Sequence, residues 1–270
     1  MSSHQSQNTN IKHITCGIDQ LSAKIMLRNF FRKGEMVMTK EKVLWGYDEK
    51  TGPEMWGHIC SDFEIAHTGK AQSPVDIEQA DVVKLKPSTM KFYYKETDYT
   101  IRRIEQSVHV FPHDKEQGLR FNGEYYPLVS FHAHIPAEHL LDGYVYPIEW
   151  HFVHEKPDGT TLVMSAWMEI DNTNNVEFKD LPTYFPEVFA DFETEREITL
   201  DVNEFMPEER VFYTYQGSRT TPPTVEGVTW IVLKNAKTLG QEDFTEFEKA
   251  IGNTSRPVQD LNGREITFYN

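Results

Sequence analysis

The strongest constraint on the fold of this chain is a recurring texture: short stretches rich in β-branched and aromatic residues, each cut off by Gly, Pro, Asn or Asp. They run over Met90 to Tyr94, Ser107 to Phe111, Tyr126 to His134, Ile148 to His154, Thr161 to Trp167, Arg210 to Tyr215 and Thr229 to Leu233. Residues of this kind suit a pleated, half-buried surface, and alternate side chains on it share a face. So many short strands with few helices between them predict a mainly β chain with minor helices, an α+β fold. The expected architecture is a single domain built on a large, mostly antiparallel, twisted central sheet with short peripheral helices. The best-supported helix is Gln241–Ile251, where Phe244, Phe247 and Ile251 recur at spacings of three and four and Gly252 follows as a stop. Asp171 to Asn175 reads as a polar turn, and Phe178 to Glu195 mixes Pro and aromatics too closely to assign.

A composition of 39% hydrophobic and 13% aromatic residues is enough to fill a sizeable core. Lys+Arg 27 against Asp+Glu 42 gives a formal net charge of -15, which repels phosphate backbones and anionic lipid, so neither nucleic acid nor a membrane is an expected partner. No apolar run of about 18 residues spans a bilayer. Cys16 and Cys60 are too few for a disulfide scaffold; one bridge between them is formally open, and two free thiols in a reducing compartment is the simpler reading. Residues 1–40 lack an apolar pattern and a signal-peptide core, and read as a poorly ordered extension. Lys33-Gly34-Glu35 before Met36 and Met38 raises the alternative of a mis-assigned start, with the folded unit over 41–270. The expected location is cytoplasmic.

The chemistry concentrates in Phe131-His132-Ala133-His134 and Glu149-Trp150-His151. On a strand His132 and His134 project to one side, and a neighbouring antiparallel strand can add His151 as a third nitrogen. Three neutral imidazoles suit Zn²⁺ and leave a fourth position for water, the pattern of a catalytic site. Glu149, two residues before His151, is placed to accept that ligand's second N–H.

These motifs stand among others in a set that resembles the α-class carbonic anhydrases, with a bacterial flavour in Ile135-Pro136-Ala137-Glu138. The set includes Trp45-Gly46-Tyr47, Gly52-Pro53-Glu54-Met55-Trp56, Gln72-Ser73-Pro74-Val75-Asp76-Ile77, Ala137-Glu138-His139 and Tyr146-Pro147-Ile148. Gly217-Ser218-Arg219-Thr220-Thr221-Pro222-Pro223, Val228-Thr229-Trp230 and Arg256-Pro257-Val258-Gln259 extend it over nearly all of 45–270. The resemblance implies Zn²⁺ on His132, His134 and His151 and reversible hydration of CO₂ to bicarbonate and a proton, by a zinc-activated hydroxide attacking CO₂. It implies an orienting relay through Thr220 and Glu138, with Thr221 on the bicarbonate side. Val153, Val228 and Trp230 would form an apolar CO₂ wall. Val153 and Val228 also suit ordinary strand core. His139 and His154 resemble structural positions that hydrogen-bond in the interior.

Several positions depart from the family. Gln106 stands where the proton-shuttle histidine would fall, so His109, with an unperturbed pKa near 6.5, is the candidate substitute and His113 a weaker one. Ser130 replaces a Gln that supports the first ligand. Arg219 replaces a Leu beside Thr220, where a cation could attract bicarbonate or narrow the CO₂ pocket. His67 and Thr224 occupy the positions of a disulfide seen in secreted bacterial members. His58 and His67 read as surface residues, and His4 and His13 belong to the extension. Two alternatives are a non-catalytic zinc-containing binding module of the same fold, and a cupin-like metalloenzyme using His132, His134 and Glu138. The latter lacks the expected Gly before the first His.

Overall fold

The eleven residues Glu124–His134 make the longest strand of the structure, a computed structural model that describes residues 45–79, 82, 84–173 and 177–270. The extension over 1–40, with Cys16, His4 and His13, lies outside the described residues, as does the start of the 41–270 unit. The strands that matter for the site are β1 (Thr97–Ile104), β2 (Ser107–Pro112), β3 (Glu124–His134), β4 (Ile148–Glu155), β5 (Thr161–Ile170), β6 (Glu195–Leu200), β7 (Phe212–Ser218) and β8 (Glu226–Leu233). Their order in space is β6-β1-β2-β3-β4-β5-β8-β7, continued by Thr267–Tyr269 and Lys84–Lys86. Most neighbours run antiparallel; β5 pairs β8 in parallel, as Thr267–Tyr269 does Lys84–Lys86. Strand β1 joins β2 as a hairpin, and β3, β4 and β5 are antiparallel neighbours in the middle.

Alternation along the central strands divides the sheet into two apolar clusters. Phe131 and Ala133 of β3, Trp150 and Phe152 of β4 and Met164 and Ala166 of β5 belong to the larger core. There α1 (Leu181–Ala190) and α2 (Gln241–Ile251) also bury side chains. Trp150 meets Phe205 and Phe247 edge to face, with ring centroids 5.0 and 5.4 Å apart, and each such pair adds about 0.5–1.5 kcal/mol beyond area burial. Helix α2 turns Phe247, Ala250 and Ile251 inward; Gly252 adopts φ 60° and returns its N–H to Glu248 O at 2.8 Å, ending it. Helix α1 carries Pro182 in its first turn and Pro186 inside, yet buries Leu181, Phe185 and Val188.

The intervening residues of β4 and β5, Val153, Val163 and Trp167, join Val228, Trp230 and Val232 of β8 in the second cluster. This is the face that bears the histidines. The loop from β7 to β8, residues 219–225, leaves a β-bulge at Gly217/Ser218. A Cβ on Gly217 would lie 2.1 Å from Ser73 Oγ, so only glycine lets that hydroxyl reach the Ser218 N–H at 3.0 Å and fix where the loop begins. Among the described residues no helix is long and apolar enough to cross a membrane.

Candidate metal centre

Strand pairing brings the three histidines together. His151 lies directly across from His132, and Glu149 across from His134. Ring centroids are 5.1 Å apart for His132 and His134, 5.5 Å for His132 and His151, and 4.7 Å for His134 and His151. One ligand atom from each falls within 4.8 Å of the others, a spacing a single ion can bridge. His134 and His151 are 1% exposed and His132 9%, so His132 is the one nearest solvent.

The second nitrogens decide what these rings can do. His134 Nδ1 lies 2.8 Å from Thr254 O, and a carbonyl only accepts, so Nδ1 carries the proton and Nε2 keeps its lone pair. His134 Nε2 is buried and has no hydrogen-bond partner. His151 Nε2 lies 3.0 Å from Glu149 Oε1, which leaves Nδ1 as the lone-pair nitrogen. Burial holds all three imidazoles in the neutral form that binds metals, pushing His134 down to about 4 and lowering His132 and His151. This donor set fits a divalent ion that prefers imidazole nitrogen.

Glu149 is saturated. Oε1 also takes His139 Nδ1 at 2.7 Å, and Oε2 accepts the N–H groups of Glu138 and His139 at 2.9 and 2.8 Å. Burial opposes its ionisation, but His139 and His151 outweigh burial and hold the carboxyl well below the usual range. His139 Nε2 continues to Tyr215 OH at 2.6 Å, and Tyr215 donates to Ser73 Oγ at 2.8 Å. His154 faces the other core, with Nε2 2.7 Å from Tyr94 OH.

Glu138 is buried at 1% exposure beside the cluster. Its Oε1 accepts the Arg256 N–H at 2.9 Å, and Oε2 lies 3.6 Å from His134 Nε2 and 3.8 Å from His151 Nδ1 with no hydrogen-bond partner. Burial pushes this carboxyl up to about 7, opposed first by His151 and then by the nearby Thr220 hydroxyl. Thr220 is buried and Thr221 half-buried on the β7–β8 loop. Trp230 sits edge to face against His139 and His151, at 4.6 and 4.9 Å, in the same cluster as Val153 and Val228.

One expectation, that of His109, is overturned in place. His109 stacks on His132 with centroids 4.4 Å apart, and burial pushes its pKa down to about 3, which removes the expectation of an unperturbed imidazole there. Ser130 Oγ lies 3.4 Å from His109 Nδ1, while His132 Nδ1 is buried without a partner; serine is too short to take over the support of that ring. Exposed His113 is engaged by Thr100 Oγ1 at 2.8 Å and Glu197 at 3.0 Å. Gln106 donates to Trp45 O at 3.2 Å. His58 and His67 are exposed, with rings 4.4 Å apart. The Thr254 carbonyl is a site group that sequence reading missed, since a backbone oxygen has no residue-type signal. Tyr215 was missed as well, and Arg256 was read as part of a motif without a role.

Residues 51–270 match the family model described as eukaryotic-type carbonic anhydrase. The chain is 32% identical over 223 residues to a carbonic anhydrase of Neisseria gonorrhoeae, covering 82% of this chain and 86% of that one. Among solved structures it is similar to the α-carbonic anhydrase of Thermovibrio ammonificans in complex with the inhibitor sulfanilamide. That match has a TM-score of 0.74 and 30% identity, and covers 84% of this chain and 99% of the other. It is also similar to dioscorin complexed with ascorbate, at a TM-score of 0.77 and 25% identity over 84% of this chain and 98% of that one.

Proposed function

The chain belongs to the α-type carbonic anhydrase family, enzymes of reversible CO₂ hydration, and from that premise we propose that His132, His134 and His151 hold Zn²⁺ and that the residues around them orient the reaction. When bound there, the ion supplies Lewis acidity that makes water a nucleophile near neutral pH. The observation that carries the assignment is the pair of lone-pair nitrogens, His134 Nε2 and His151 Nδ1, each aimed by an acceptor behind it, Thr254 O and Glu149 Oε1.

Glu138 and Thr220 act together in this reading. Glu138, fixed by the Arg256 N–H, would take the hydrogen bond of the nearby Thr220 hydroxyl, which leaves the Thr220 oxygen free to accept a hydrogen bond from the nucleophile and so orient it toward the substrate. Thr221 lines the bicarbonate side. Val153, Val228 and Trp230 hold CO₂, which has almost no polar handle and is retained by apolar contact. For proton export His109 lies beside the cluster, but burial holds its ring neutral, so water and buffer carry the proton out. A cytoplasmic location is part of the same proposal. It is supported by His67 and Thr224 at the family's disulfide positions and by Cys60, a buried free thiol.

The test combines metal analysis with a CO₂ hydration assay. Purified protein should hold about one zinc per chain, and His134→Ala should lose both metal and activity, because two imidazoles make a much weaker site. Zinc without CO₂ hydration would turn the reading to a binding module; tight zinc retention by the variant would refute the ligand set.

A further inference from the structure

We propose that Arg219, paired with Glu155, is an anion-selecting residue at the mouth of the metal centre, raising the affinity of the site for bicarbonate and other small anions. The inference rests on the zinc assignment above and adds a specificity determinant to it.

Arg219 directly precedes Thr220 on the β7–β8 loop. Its backbone is fixed on both sides: its N–H donates to Val225 O at 3.0 Å, and its carbonyl accepts from Ser218 Oγ at 2.8 Å. The guanidinium reaches Glu155 through one contact, Nη2 to Oε2 at 3.5 Å, and its side chain stays 42% exposed. Glu155 ends the strand that carries His151, four residues on, so the period of two puts Glu149, His151, Val153 and Glu155 on one face. The Arg219 charge is therefore held over the side of the sheet where the histidines lie.

Joined to Thr220 in the chain and paired with Glu155 at the end of the His151 strand, this guanidinium forms a cationic wall on the histidine side of the sheet, in a chain whose net charge is -15. Neutral CO₂ gains nothing from such a wall, whereas an anion does, and in a partly desolvated pocket the gain exceeds that in bulk water. Glu155 has two opposed effects: it aims the guanidinium and neutralises part of its charge. Stronger retention of bicarbonate follows, with a lower KM for dehydration and stronger product inhibition of hydration.

The experiment uses cobalt-substituted full-length protein titrated with thiocyanate at low ionic strength and read by the visible spectrum of the metal, with metal content measured in every protein. Arg219→Leu should weaken thiocyanate binding about tenfold, Arg219→Lys should keep most of it, and Glu155→Gln should tighten it. The KM for bicarbonate should move in the same directions. Equal thiocyanate affinity in all four proteins would overturn the proposal while leaving the metal site standing. So would weakening in both Arg219→Leu and Glu155→Gln, since the pair would then only shape the loop. Failure of the unsubstituted protein to bind cobalt would instead refute the zinc reading.

Discussion

Glu149 and His151 are bound to each other across a single buried contact, Oε1 to Nε2 at 3.0 Å, with 0 and 1% of their surfaces exposed. The carboxylate fixes which nitrogen of the ring is free, and its negative charge makes that nitrogen a better donor. Glu149→Gln keeps the shape but removes the charge. Zinc affinity, measured by competition with a chelator, should fall by about 10- to 100-fold. Unchanged affinity would show that the ring is held by packing alone.

His132 presents the opposite situation, because its Nδ1 is buried with no acceptor and Ser130 is turned to His109. A glutamine at 130 has the reach that serine lacks. Ser130→Gln should slow zinc release to a chelator by about tenfold. If release is unaffected or faster, the ring gains nothing from a partner at this position.

Thr220 tests orientation apart from metal binding. Thr220→Ala should retain zinc and lower the turnover of CO₂ by about 10- to 1,000-fold, the effect of losing one aiming hydrogen bond. A wild-type rate with zinc bound would remove the hydroxyl from the reaction.

Proton export can be probed through buffer dependence. Gln106 donates to a backbone carbonyl and has no ionisable group, while the His109 ring is packed face to face on His132. Turnover in weak buffer should therefore be limited by proton release, and small imidazole buffers should raise it. Gln106→His should raise it without added buffer, and His109→Phe should leave the buffer-independent rate unchanged, because burial keeps that ring neutral. A wild-type rate insensitive to buffer would contradict this limitation.

The interior histidine of the opposite face gives a pH prediction. Burial pushes His154 down to about 3, against about 6.5 in an unfolded chain, so the unfolded state binds the extra proton between those values. Its contribution is full above pH 6.5 and is lost as pH falls toward 3. Between pH 7 and 5 the wild type should lose about 2 kcal/mol more stability than His154→Gln, measured by urea unfolding. Equal losses would mean that His154 is protonated in the fold.

Much of this organisation is legible in the sequence, for physical reasons. Strands β3, β4 and β8 announce themselves by apolar content, and Gln241–Ile251 has both a helical stripe and a glycine stop. Strands β1 and β6 do not. Arg102 and Arg103 on one, and Glu195, Arg196 and Glu197 on the other, are charges tolerated because β6 is at the edge of the sheet and β1 next to it. Helix α1 is hidden by Pro182 and Pro186, which tertiary packing overrides. Parallel pairing of β5 with β8 depends on how the chain returns, which no local pattern records. The ligand residues can be read because spacing on a strand fixes their side. The stacking of His109 on His132 cannot, because the two rings come from different strands.

The Thr254 carbonyl that aims His134 lies 120 residues downstream of it. A growing chain that has already exposed all three histidines still lacks this brace until the segment beyond Gln241–Ile251 has emerged and docked. An ion that binds the braced arrangement more tightly than the unbraced one would favour the fold in which this carbonyl is docked.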